Sequence, residues 1–345
     1  MEKFRIDVKD RKIIAQLALD SRKPYSAIAN EVMLSSYSTA YRVNSLVKKN
    51  IIMNFFPVID FKKLGYNKYH FFVLVDEQDE AKKEEFYNFL VKSDYVTNIF
   101  SYSDRWDYEI EAIAKNAEDF DDFLTSIDVK FPNVIIEEDK LIVLKEYKNA
   151  LLPRAFFYKE LLEKIDSKIK NKEEEEFKLD NKDMQILKVL SQDARLSSYE
   201  MKPLVGLDAD TIIYRIKRLV KSGIIKNFSI RTNLNLLGYN IFTFLIRVRK
   251  FDFKDEAKFK RISEQNKHLL YSTKTLGDYD LLLRIASDPE NLHAFIVYLK
   301  KEFSQIMKIY ETLIMSEHCY FNPLPNMLIK DFAKDLGIAK RKKII

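Results

Sequence analysis

Cysteine is nearly missing from this sequence. Cys319 is the only one in 345 residues, so no intrachain disulfide can form, which fits a reducing, cytoplasmic setting. Glycine and proline are also scarce, at six and eight, which argues for long regular elements over a loop-rich scaffold. No uninterrupted apolar run of about 18 residues or more occurs, so no membrane span is expected. The charged opening MEKFRIDVKDRK lacks the apolar segment of a signal peptide. There is no metal-ligand spacing, no Ser-His-Asp set and no Gly-rich phosphate loop, so no metal, cofactor or catalytic residue is assigned. What the chain does have is 47% apolar residues, enough for real cores, and a net charge of +6 that permits nucleic-acid binding without requiring it.

It also has a phrase written twice. Residues 46–55 read LVKKNIIMNF and residues 219–228 read LVKSGIIKNF, 173 residues apart. At that offset residues 6–67 lie over 179–240 without a gap. Asp7/Asp180, Asp10/Asp183, Ile13/Ile186, Arg22/Arg195, Arg42/Arg215 and Leu64-Gly65-Tyr66 over Leu237-Gly238-Tyr239 are among the matches. The register holds at Asp107/Asp280 and then slips by one, placing Phe123 over Phe295. The chain is a tandem duplication. Between the copies, Leu161, Leu162, Ile165 and Ile169 fall on one helix face ahead of the acidic run 173–176, so the connector reads as a helix of about 25–30 Å and a charged hinge.

Each copy opens on a three-helix plan. Asp7 and Asp180 are N-cap residues with an acidic partner three positions on. A short second helix follows, interrupted in copy two by Pro203, which should distort it or delay its start. Ser35 and Asp208 cap a third helix, whose apolar stripe in copy two is Ile213, Ile216, Leu219 and Val220, with Thr211, Tyr214, Arg215, Arg218 and Lys221 facing away. It ends at Asn50 or Gly223, the residue types that best tolerate the left-handed conformation past a helix end. IIMNFFPVID and IIKNFSIRTN then read as two-stranded hairpins, completing a winged helix-turn-helix whose third helix enters the DNA major groove. The remainder of each copy reads βαββαβ, a ferredoxin-like unit. The fold class is α+β. The expected domains are a winged helix over 1–60, a ferredoxin-like domain over 61–151, a linker over 152–178, the second winged helix over 179–233, its ferredoxin-like domain over 234–322 and a basic tail over 323–345.

This order, with LLGYN before βαββαβ and TLGDYDLLLRI within it, resembles the Lrp/AsnC (feast/famine) transcription regulators over nearly the whole chain, twice. The resemblance implies sequence-specific binding to double-stranded DNA and an amino-acid effector taken by the ferredoxin-like domains. The family's recognition arginine falls on Arg42 and Arg215. The DNA-binding candidates are Ser38, Thr39, Tyr41, Arg42 and Lys48 in copy one, with Thr211, Tyr214, Arg215, Arg218 and Lys221 in copy two. The family's Gly-x-x-Asp feature falls on Gly277 and Asp280, making Gly277, Asp278 and Asp280 the effector candidates; copy one has Asp104 and Asp107 there. Pairing of the two halves as an intramolecular pseudodimer, open to further assembly, follows from the duplication, and the tail residues 340–343 add basic charge for phosphates. Two other readings stay open. One is a fused enzyme resembling siroheme decarboxylases. For it the chain offers His70, His268, His293 and His318, none recurring in the other copy, and Arg105-Trp106 as a polar-aromatic pair. The other is a protein-interaction scaffold that has lost DNA binding in copy one.

Overall fold

The computed structural model describes residues 6–76, 80–167 and 177–335. The acidic run 173–176 and the basic residues 340–343 lie outside them.

Copy one begins with helices α1 (Val8–Leu19), α2 (Tyr25–Val32) and α3 (Ser36–Lys48) and strand β1 (Ile52–Ile59). Its second part is β2 (Asn67–Val75), α4 (Glu80–Lys92), β3 (Val96–Tyr102), β4 (Tyr108–Ala114), α5 (Ala117–Lys130) and β5 (Ile135–Asn149). After α6 (Lys159–Ser167), copy two repeats the order: α7 (Asn181–Gln192), α8 (Ser198–Val205), α9 (Ala209–Lys221), β6 (Ile225–Thr232), β7 (Asn240–Val248), α10 (Phe253–Gln265), β8 (Leu269–Gly277), β9 (Leu281–Ser287), α11 (Pro289–Phe303) and β10 (Met307–Phe321). Helix α12 (Asn326–Asp335) follows.

The starts and stops of the helices are written in the sequence. Asp7 and Asp180 form capping boxes with Asp10 and Asp183, satisfying orphan N–H groups at the dipole's positive end. Ser35 and Asp208 cap α3 and α9 through the amides of Ser38 and Thr211. Asn50 and Gly223 adopt φ of 58° and 74°, the expected left-handed turn. Pro203 does not delay α8, which starts at its Ser197 cap and ends two residues past the proline. The proline removes only the bond that would have gone to the carbonyl of Tyr199, a residue that is 74% exposed. The buried stripe of α9 is Ala209, Ile212, Ile216 and Leu219, so Ile213, expected inside, is 40% exposed.

The expected wing hairpins are not formed. Each copy supplies one long strand, and β1 pairs antiparallel with β6 of the other copy, Phe56 opposite Ser229. These two residues are themselves separated by the repeat offset, so the pair lies on a pseudo-two-fold axis. Hydrogen bonds around it are reciprocal. Ser21 N donates to Phe228 O as Ala194 N donates to Phe55 O, and Asp60 N to Ile224 O as Asn233 N to Ile51 O. Arg22 reaches the carbonyls of Ala194 and Leu196, and Arg195 those of Ser21 and Lys23.

The βαββαβ parts obey the same symmetry. Their sheets join edge to edge into a closed eight-stranded barrel, ordered β10-β3-β4-β2-β5-β8-β9-β7. The long final strands make both seams, β5 with β8 and β10 with β3, leaving no open edge in that sheet. Alternation sorts the side chains. On β2, Tyr69, Phe71, Val73 and Val75 pack under α4 and α5 with Phe86, Leu90, Phe120 and Phe123, while His70 and Phe72 point into the barrel.

The connector contains the expected helix, α6, and the expectation for the region after 322 changes. The connector starts as a packed segment: Leu152, Phe156 and Leu161 join a core shared by the two copies, and Arg11 holds the carbonyls of Ala155 and Phe156. The region after 322 contains α12, whose Met327 and Leu328 pack with the copy-two helices while Asp331 meets Tyr66 and Lys115 of copy one. Both helices cover apolar surface, which in the place of α12 a merely basic tail would not do.

Candidate nucleic-acid interface

Helices α3 and α9 are held from behind by Thr39, Val43 and Leu46 and by Ile212, Ile216 and Leu219. At 100° per residue, the direction opposite these stripes belongs to Tyr37, Tyr41, Asn44 and Lys48 in α3 and to Asp210, Tyr214, Lys217 and Lys221 in α9. All eight are exposed, Tyr37 by 84%, Tyr41 by 69% and Tyr214 by 59%. An open hollow of about 400 Å³ runs along α3 between Asp10, Ser38, Tyr41, Ser45 and Lys49.

The candidate residues divide on this geometry. Tyr41, Lys48, Tyr214 and Lys221 lie on the outward faces, and Ser38 and Thr211 flank them, half-buried. Thr39 does not: it is fully buried and its hydroxyl donates to Ser35 O, because its position is that of core residue Ile212 in the other copy. Arg42 and Arg215 sit on the flank facing the first helix of their own copy. Arg42 Nη1 is 2.7 Å from both Asp7 and Asp10, and Arg215 Nη1 is 2.7 Å from Asp180 and 2.8 Å from Asp183. Each arginine thus buckles the third helix to the capping box of the first, and its carboxylate partners raise its pKa. Arg218 is half-buried, its guanidinium stacked 4.5 Å from the Phe177 ring centroid and 5.6 Å from Tyr214. Lys217, outward-facing by its spacing, was left out of the candidates, and its equivalent in copy one, Asn44, was missed. Spacing from Tyr41 and Lys48, or from Tyr214 and Lys221, was the signal that would have found them.

The model of the AsnC-type helix-turn-helix domain matches this chain at residues 6–47 and again at 179–220, which cover α1–α3 and α7–α9. The HTH-type transcriptional regulator FL11 of Pyrococcus furiosus is 36% identical over 124 residues, 34% of this chain and 78% of that protein. FL11 of Pyrococcus horikoshii is 32% identical over the same shares. The crystal structure of the siroheme decarboxylase NirDL superposes with a TM-score of 0.60 at 12% identity, covering 96% of this chain and all of that one. The chain belongs to the AsnC-type helix-turn-helix transcriptional regulators.

It is a DNA-binding regulator that carries the family's helix-turn-helix twice, in an architecture that NirDL shares over its whole length. Among its described residues no helix is long and apolar enough to cross a membrane.

The effector candidates of this AsnC-type regulator lie at the barrel seam, and two of the three are occupied structurally. Gly277 pairs with Leu141, has φ of 149°, and a Cβ there would stand 2.2 Å from Lys140 O. The Asp280 carboxylate accepts from Val248 N at 2.7 Å, as Asp107 accepts from Val75 N at 2.8 Å in copy one. Asp278 is more open; its carboxylate is 3.2 Å from Arg247, and it hydrogen-bonds Asp139. Burial, reinforced by Asp278, pushes Asp139 up to about 7.

Of the residues weighed for catalysis, His70 and Trp106 are fully buried, while Arg105 and His293 reach the surface. Trp106 is fully buried with the Arg105 guanidinium 4.7 Å over its ring, and Arg105 also pairs with Glu137 and Glu311. His70 Nδ1 is 2.7 Å from Glu109, and its Nε2 is 3.3 Å from the Tyr271 hydroxyl. His318 meets Asn98 at 2.8 Å; His293 is exposed on α11, and His268 is half-buried. His70, Glu109 and Glu111 place ligand-type atoms within 4.8 Å of one another, but Arg284 already brings a positive charge to that group, 2.7 Å from Glu109 and 3.3 Å from Glu111. A cation there would face the guanidinium. Despite its burial, Glu109 is held down at about 2 by Arg284 and His70.

Proposed function

We propose that this regulator binds double-stranded DNA as a single-chain pseudodimer that reads two unlike half-sites. The observation that carries the reading is the difference between equivalent outward faces, Tyr37, Tyr41, Asn44 and Lys48 against Asp210, Tyr214, Lys217 and Lys221. Basic groups hold phosphates, while amides and other side chains near the groove read base edges. Copy two, with Lys217 and Lys221 on its face, supplies most of the phosphate attraction. Copy one, with Ser38, Tyr41 and Asn44, supplies mainly base readout. Arg42 and Arg215 act as positioning residues. Covalent linkage makes the second docking intramolecular and raises its effective concentration. Selection of bound DNA from a random pool tests this: two different half-sites at fixed spacing are expected, and enrichment of perfect palindromes would sink it.

An amino-acid effector would act at the seam through Asp278 and Arg247, whose side chains are 56% and 40% exposed, and repeating the selection with an amino-acid mixture tests that. We read the chain as cytoplasmic and not an enzyme, on its regulator relatives and on the engagement of His70 with Glu109 and Tyr271. A saturable absorption shift on adding siroheme would replace this reading with the enzyme one. Further assembly is read from native mass spectrometry.

A further inference from the structure

The interior of the barrel holds an ionic cluster that the pseudo-two-fold axis does not copy. Copy one contributes His70, Tyr102, Glu109 and Glu111; copy two contributes Thr243, Tyr271 and Arg284. Arg284 donates to both oxygens of Glu109, at 2.7 and 2.8 Å, and to Glu111 at 3.3 Å, and stacks 4.0 Å from the Phe100 ring centroid. Tyr102 hydrogen-bonds Glu109 and, at 2.8 Å, Thr243. All of these groups are buried: Glu109 and His70 fully, with Glu111 6% exposed and Arg284 7%.

Glu111 and Arg284 are separated by the repeat offset of 173, so they are the same position in the two copies, and they touch. A position that touches its own equivalent sits on the axis. Its chemistry therefore decides which copies can meet there. The neighbouring position has also diverged, Glu109 in copy one and Leu282 in copy two.

We infer that this buried set is a partner code: it makes each ferredoxin-like domain accept an unlike copy and reject a like one. Two copy-one domains brought together would bury four carboxylates and no arginine. Two copy-two domains would bury two guanidiniums and no carboxylate. Only the unlike pairing neutralises the arginine and satisfies its N–H groups, and an unpaired buried charge is strongly destabilising. Rejection by mismatched charge is a recognised way to gain specificity. The consequence is insulation: two chains cannot exchange like halves, and a single-unit protein of this fold with an apolar residue at these positions would leave Arg284 or the glutamates stranded. This rests on the pseudodimer reading, under which the halves pair within one chain.

The test uses full-length chains. Glu109→Leu/Glu111→Arg gives both copies the Leu/Arg set; Leu282→Glu/Arg284→Glu gives both the acidic set. Each double variant, refolded alone, is expected to lose roughly a hundredfold or more in its folding equilibrium, as for a broken buried ion pair. Refolded together, the two are expected to give a 1:1 two-chain complex in native mass spectrometry, while the parent remains a single chain. A double variant that keeps the parent's folding equilibrium when refolded alone, or a folded mixture that does not prefer the 1:1 complex, would overturn the inference. If neither variant folds even in the mixture, the fourfold exchange decides, because it rebuilds the cluster in the opposite sense. A folded single chain supports the code, and an unfolded one overturns it. A parent that is itself a dimer would instead remove the pseudodimer reading.

Discussion

Arg215 and Asp183 form a buried-to-surface clasp: the guanidinium lies 2.8 Å from a carboxylate whose side chain is 2% exposed. The arginine that sequence placed on DNA therefore first holds α9 against α7. Removing it strands Asp183 beside Asp180, so Arg215→Ala should cost about 2 kcal/mol in urea unfolding. Arg42→Ala should cost less, about 1 kcal/mol, because Asp10, at 14%, is more exposed than Asp183. If Arg215→Ala leaves stability unchanged, the clasp has no structural weight.

Much of the winged-helix architecture was legible, for local reasons. Capping boxes at Asp7 and Asp180 and left-handed residues at Asn50 and Gly223 are short-range demands that a sequence states directly. The wing was misread because a strand's partner is not local. IIMNFFPVID has the same β-forming character whether its partner follows it or lies 173 residues away, and it is the other copy that pairs. The third helices were read with the outward face rotated toward the flank, because Arg42, Arg215 and Arg218 drew the stripe to their side. Charge alone does not separate an arginine aimed at phosphate from one aimed at an N-terminal carboxylate. The barrel cluster was invisible to repeat matching, since Glu111 and Arg284 carry meaning through their difference.

On DNA, the outward faces should separate affinity from readout. Lys217→Ala should flatten the dependence of log binding constant on log salt by about 0.9, as one phosphate contact does. Arg215→Ala, measured where it stays folded, should leave that slope unchanged. Asn44→Ala should keep the slope and relax base preference at one position of the copy-one half-site, by about 1–3 kcal/mol of discrimination. Titrations at several salt concentrations on selected and mutated sites distinguish these outcomes; an Arg215→Ala slope lowered by a full unit would return that residue to the phosphate.

Stability should carry a neutral-range pH signature from the seam. The folded-state pKa of Asp139 is raised to about 7, by burial first and then by Asp278, while the unfolded chain titrates near 3.8. The folded state therefore holds a proton that the unfolded chain releases. This group costs nothing below about pH 4, its penalty builds between about pH 4 and 7, and it is complete above 7. Asp139→Asn should remove the decline between pH 5 and 8. The capping carboxylates Asp7 and Asp180 act in the opposite sense. Their pKa values are depressed in the folded state, so their stabilisation is present above the unfolded value and is lost as pH falls through the folded one. Unfolding midpoints from pH 3 to 8, with and without Asp139→Asn, check both limbs. A parent flat between pH 5 and 8 would remove the Asp139 assignment.

The seam also tests whether Gly277 serves the fold or a ligand. Its φ of 149° is poorly suited to a side chain, and an added Cβ would meet Lys140 O at 2.2 Å, a backbone atom that cannot swing aside. Gly277→Ala should therefore part β5 from β8 locally and cost about 3 kcal/mol. The equivalent place in copy one makes the contrast. Asp104 already carries a side chain there, and its carboxylate accepts from Ile314 N at 2.8 Å across the other seam. Asp104→Ala should cost only about 1 kcal/mol, the value of one partly exposed hydrogen bond to a charged acceptor. Urea unfolding of the two variants measures the asymmetry directly. A Gly277→Ala protein as stable as its parent, but altered in its response to amino acids, would show that the glycine is kept for the effector and not for the closing of the barrel.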